Sequence, residues 1–118
     1  MAREGGIMAW QWSGYDRNHR DAANLWLHFL AVPAFVGATL AFVTLTLHAR
    51  WFAAGISLAL MVVAFAVQGL GHKREAEPPV PFDGPFDFLA RVFVEQFITF
   101  PRFVLSGGWM RQLLGRDR

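Results

Sequence analysis

The sequence predicts an all-α integral membrane protein, a helical hairpin of two spans followed by a C-terminal interfacial amphipathic helix. Three observations point there. Only 17% of the 118 residues are charged, against 54% hydrophobic, where a soluble domain carries about a quarter charged. Leu25 to Leu47 and Trp51 to Gly71 contain no Asp, Glu, Lys or Arg, and crossing about 30 Å of hydrocarbon takes roughly 20 apolar residues in a helix. Ten of the eleven Lys and Arg residues flank this pair of stretches, with Arg50 alone between them. A soluble hairpin buried in a bundle is the alternative, but a chain this short has too little left to cover two helices apolar on every face. Residues 1–118 therefore read as a single membrane domain.

Residues 1–24 carry Arg3, Glu4, Asp16, Arg17, Arg20 and Asp21 with no apolar core, which argues against a signal peptide. Asp21 is a suitable N-cap for the first span, about 25–47. Leu47-His48-Ala49-Arg50-Trp51 is short enough only for a tight connection to an antiparallel second span, about 51–71. Trp26 and Trp51 sit near span ends, as an aromatic belt would. The run from Glu77 to Pro85 holds four prolines and cannot be helical. Helix is expected to restart at Pro85 with Asp83 as its cap and to run to about residue 105, bent at Pro101. Phe86, Phe93, Phe97, Phe100 and Val104 recur along it at helical spacing, with Arg91, Glu95 and Arg102 interspersed. That mixture suits a helix lying at the interface rather than a third span. Ser106-Gly107-Gly108 ends it, and Arg111, Arg116 and Arg118 suit anionic lipid head groups.

The cation count places both termini in the cytoplasm by the positive-inside rule, at the inner membrane if the source is bacterial. No cysteine is present, which excludes disulfides and thiolate metal sites. The charge pattern gives no reason to expect nucleic acid as a partner, and the sequence leaves homo-oligomerisation open.

Four histidines remain as strong metal ligands. His28 lies one turn inside the first span and His72 follows the second, so an antiparallel hairpin brings both to the same end. His48 is 20 residues beyond His28, about 30 Å away across the bilayer, and reads as a loop residue. His19 joins the other two only if the chain turns between it and the span. Asn24 and His28 share a face, as do Gln68 and His72. Polar groups at membrane depth are costly and mark function. Imidazoles suit iron, zinc or copper, and a carboxylate from Asp21, Glu75, Glu77 or Glu95 could complete the set.

His19-x4-Asn24-x3-His28-x4-Pro33 followed by Gln68-x2-Gly71-His72 resembles the signature of the membrane-bound 2-hydroxy fatty acid dioxygenases, enzymes of fatty acid α-oxidation. The resemblance covers roughly residues 15 to 105. Asp21-Ala22 stands where the family usually has Asn-Pro, and Ala76, between Glu75 and Glu77, where it usually has Glu. The resemblance implies an Fe(II) dioxygenase that takes a 2-hydroxy fatty acid and O2 to the acid one carbon shorter plus CO2. It implies His19, His28 and His72 as catalytic metal ligands, and Asn24, Gln68, Lys73 and Arg74 as substrate-binding residues. The N–H groups near Asn24 are expected to hold the substrate carboxylate, and the acyl chain to lie among Phe29, Phe65 and the aromatic helix. The rival expectation is a non-catalytic membrane protein whose histidines bind haem or a structural metal.

Overall fold

The computed structural model describes residues 5–115, and Arg116 and Arg118 of the basic tail lie outside them. The described chain is helical, with no strand among its elements. Helix α1 covers Gly6–Tyr15 and runs into a 3-10 turn at Asp16–Asn18. The hairpin follows, with α2 at Ala22–Leu47 and α3 at Trp51–His72. Both are long and apolar enough to cross a membrane, and most of each is left uncovered by the rest of the protein. Exposed Leu30, Leu40, Leu58, Leu60, Val62 and Val63 form that uncovered surface, a composition suited to lipid rather than water.

Asp21 caps α2 as expected: it is extended, and its carboxylate accepts from the Asn24 N–H at 3.0 Å. Pro33 sits inside α2 without ending it. The turn is closed by the Arg50 N–H donating to Leu45 O at 2.8 Å, with Ala49 left-handed at φ 54°. No helix forms between His72 and Pro85, where the prolines crowd.

Helix α4, Pro85–Val94, leads into a π-helical turn at Glu95–Thr99 and then α5, Phe100–Leu105. Together they make the expected 85–105 arm, with two corrections. Gly84 rather than Asp83 precedes the helix, at φ 101°, and makes no side-chain cap; Asp83 instead gives its N–H to the Asp87 carboxylate. The irregularity is not a bend at Pro101 but the wide turn just before it. Proline has no N–H and its ring crowds the carbonyl four residues back, so the ladder changes pitch there: the Phe100 N–H reaches the Glu95 carbonyl, five residues away. The inner face of this arm is buried: Val92, Gln96 and Phe100 meet the hairpin, whereas Arg91 and Thr99 meet α1.

Two helices escape a reading of the sequence. Helix α1 has no apolar stripe to announce it, and α6, Gly108–Leu113, begins directly after left-handed Gly107. One core cluster joins Tyr15, Leu25, Val32, Phe100, Phe103 and Trp109; a second joins Ala31, Phe35, Ala38, Met61, Ala64 and Val92. The first draws α1, α2, α5 and α6 together at the end of the hairpin where α2 begins and α3 ends.

Candidate metal centre

Where α2 begins and α3 ends, the two helices touch at Gly71. A Cβ added there would overlap the Asn24 carboxamide and come within 3.3 Å of Leu27, so glycine permits the close approach that sets His28 and His72 side by side. Just outside, Glu75 folds back over the start of α2. Its buried carboxylate accepts from the Arg20 and Asp21 N–H groups at 2.9–3.1 Å and from Asn24 Nδ2 at 2.6 Å. Arg74 reinforces the junction through Asp21 at 2.8 Å. Burial opposes a charge on Asp21, but Arg74 and the capped N–H groups outweigh it and hold its carboxyl below the usual range. The chain is thereby made to turn between Asn18 and Ala22, and His19 swings in over the hairpin.

The result is a cluster of His19, His28, His72 and Glu95, one ligand atom of each lying within 4.8 Å of all the others. The three imidazole centroids are 4.7–4.8 Å apart and the rings stand edge to face. His19 and His28 are both buried. Each is oriented the same way: Nδ1 faces a carbonyl one turn back, Tyr15 O at 2.9 Å and Asn24 O at 3.1 Å. A ring nitrogen against a carbonyl must carry the proton, so in the neutral rings Nε2 is a bare lone pair. Both Nε2 atoms face Glu95 Oε2, at 3.4 and 3.6 Å, and neither has a hydrogen-bond partner; nor does the buried Nδ1 of His72.

Burial keeps the His19 imidazole below its ordinary pKa, against the pull of Glu95. Unpartnered nitrogens from three imidazoles and a carboxylate thus converge. That donor set fits a divalent transition-metal ion, and orphaned buried nitrogens are otherwise costly.

The π turn supplies the fourth member. Glu95 opens it, and the changed pitch lets Glu95 face the histidines while Gln96 turns to Gln68 in a reciprocal pair of 2.8 Å bonds. Of the four carboxylates considered from sequence, Asp21 and Glu75 serve the junction, and Glu77 pairs with exposed Arg17 at 3.7 Å.

Beside the cluster lies a cavity of about 340 Å³, walled by Trp10, Gln11, Phe65, Gln68, Val80, Phe82 and Arg91 and meeting His19, His72 and Glu95. His28 is sealed behind it. Gln68 is thus on the wall, whereas Asn24 is tied to Glu75, Lys73 is exposed, and Arg74 is paired with Asp21. The backbone N–H groups expected to hold a substrate carboxylate are taken by Glu75 and Asp21. Phe65 lines the cavity, but Phe29 packs on Trp26 and Trp109 elsewhere. His48 is exposed in the hairpin turn, its Nδ1 against Thr44 O.

Sequence reasoning missed Tyr15, Gln11 and Arg91. Tyr15 donates to Glu95 Oε2 at 2.7 Å, and burial together with that carboxylate raises its phenol well above the ordinary value. Arg91, a buried charge in an otherwise apolar stretch, was the strongest visible signal among them. Its guanidinium donates to the Val80 and Pro81 carbonyls and packs on Trp10 and Phe82.

The family model described as 2-hydroxy-palmitic acid dioxygenase Mpo1-like matches residues 7–101. No curated protein and no solved structure matches the chain.

Proposed function

From this chain's membership of the 2-hydroxy-palmitic acid dioxygenase Mpo1-like family, we propose that it is an Fe(II)-dependent dioxygenase of 2-hydroxy fatty acids. The reaction takes a 2-hydroxy acid and one O2 to the acid one carbon shorter, CO2 and water, which balances without an outside reductant. The observation that carries the reading is the convergence of His19, His28, His72 and Glu95, with a buried nitrogen of each imidazole left unpartnered. These four would hold the iron. Bound there, Fe(II) supplies open coordination positions at which the hydroxy acid and O2 can meet.

The chain's own part is to receive, orient and enclose. Phe65, Val80 and Phe82 give the acyl chain an apolar wall, and Gln68 and Arg91 give the polar head a hydrogen-bonding and positive one. Exposed Lys73 and Arg74, next in the chain to His72, would attract an anionic substrate from the membrane surface. Asn24 acts indirectly, its carbonyl fixing His28 and its side chain anchoring Glu75. The apolar faces of α2 and α3 set the protein in a bilayer, the source of a substrate that partitions into lipid, with both termini on the cytoplasmic side.

A haem is disfavoured by the geometry. Three rings whose centroids are 4.7–4.8 Å apart suit a single ion and leave no room for a flat macrocycle between them.

The test is direct. Anaerobically purified protein given Fe(II), O2 and a long-chain 2-hydroxy fatty acid in detergent should release the acid one carbon shorter. The unhydroxylated acid should be inert, lacking the second oxygen for chelation. Turnover indifferent to iron, or surviving removal of both His28 and His72, overturns the assignment. A Soret band would point to haem instead.

A further inference from the structure

The chain has a single tyrosine, and it touches the cluster at two members without being one of them. Tyr15 is the last residue of α1. Its ring stacks on the His19 imidazole, centroids 3.8 Å apart and planes 14° from parallel. Its carbonyl accepts the His19 Nδ1 proton at 2.9 Å, and its hydroxyl donates to Glu95 Oε2 at 2.7 Å. Phe103 closes the ring's other approach edge-on at 5.0 Å.

Packing alone does not ask for the hydroxyl, because a phenyl ring fills the same space against His19 and Phe103. The oxygen matters to Glu95. A carboxylate opposed by two imidazole lone pairs, at 3.4 and 3.6 Å, is repelled from the place where it is needed and has rotamers that would take it elsewhere. A donor on the far side holds it there.

We propose that Tyr15 is a positioning residue of the metal centre, fixing the Glu95 carboxylate and the His19 ring in ligand-ready orientation before an ion arrives. This rests on the His/Glu cluster being the metal site. It makes α1 part of that site and not merely cover for it, and it accounts for a helix without an apolar stripe being held in place. Supporting groups of this kind are worth 10–100-fold in metal affinity.

The test uses Co(II), whose d–d absorption reports ligand geometry without turnover. Wild-type protein in detergent should bind one Co(II) with a saturable spectrum. Tyr15→Phe should bind it about 10–100-fold more weakly and with altered bands. Equal affinity with an unchanged spectrum overturns the proposal. Should Tyr15→Phe fail to fold, the single tyrosine allows global replacement by fluorotyrosine and difluorotyrosine, whose hydroxyls are stronger donors. The one 19F resonance should then move on adding Co(II), and Co(II) affinity should change along the series. A resonance that stays put, or an affinity that does not respond, overturns the proposal equally. Wild-type protein that binds no Co(II) is a different outcome: it removes the metal-site reading itself, and this inference with it.

Discussion

Three residues of the cluster are oriented by hydrogen bonds, His19 and Glu95 through Tyr15 and His28 through the Asn24 carbonyl, while His72 is left without one. Glu95→Gln removes the only charge among the four donors and should weaken metal binding by at least about 100-fold, beyond what losing a supporting group costs. His28→Ala and His72→Ala should each abolish stoichiometric binding. His48→Ala should leave it untouched, since that ring sits about 30 Å away at the far turn. Metal titration of the purified variants separates these cases, and an empty site in His48→Ala would mean that the hairpin is misdrawn. Glu75→Ala tests the support rather than the ligands. It orphans the Arg20 and Asp21 N–H groups and the Asn24 amide, at a cost of about 1–3 kcal/mol. Thermal unfolding should register that loss, and metal affinity should fall because His19 is no longer turned inward.

At the scale of the element, the π turn is the part most open to a decisive change. Glu95–Thr99 contains one residue more than an α-helical path needs, and Ile98 within it is exposed. Deleting Ile98 restores regular pitch and removes the widened turn in which Glu95 faces the histidines while Gln96 pairs with Gln68. The shortened protein should still enter membranes and retain its helical circular dichroism, while its metal affinity collapses. Undiminished affinity would show that the wide turn has no part in the site.

The same element shows what a sequence can and cannot disclose. The two spans were legible because lipid imposes length and apolarity with no help from tertiary structure, and Asp21 was legible because capping is local. His28 and His72 followed from antiparallel geometry alone. Glu95 could be named only among four candidates. Its selection depends on a change of pitch that leaves no mark in the hydrophobic pattern, and on a tyrosine 80 residues earlier. Helix α1 was invisible for a related reason: its stability comes from Tyr15, Gln11 and Arg91 meeting across the chain rather than from an apolar stripe.

For the molecule as a whole, the spans and the placement of cations lead to one topological outcome. A reporter fused after Arg118 should be cytoplasmic, because the Lys and Arg residues flank the hairpin and only Arg50 lies in its turn. An external reporter would require a third crossing among residues 86–105. Metal should also act on the whole fold. An ion bound a hundredfold above its dissociation constant adds about 2.7 kcal/mol of stability, so chelation should lower the melting temperature of native protein and not that of His28→Ala. The order in which the four donors appear in the chain has a consequence for biosynthesis. His19 precedes the first crossing, and Glu95 is translated only after the second is complete. On the proposed reading, no nascent chain can close the site while its hairpin is still being inserted, so iron loading would be a step of maturation that follows membrane integration. Cells starved of iron should accumulate inserted protein whose C-terminal arm is the segment most readily clipped by protease.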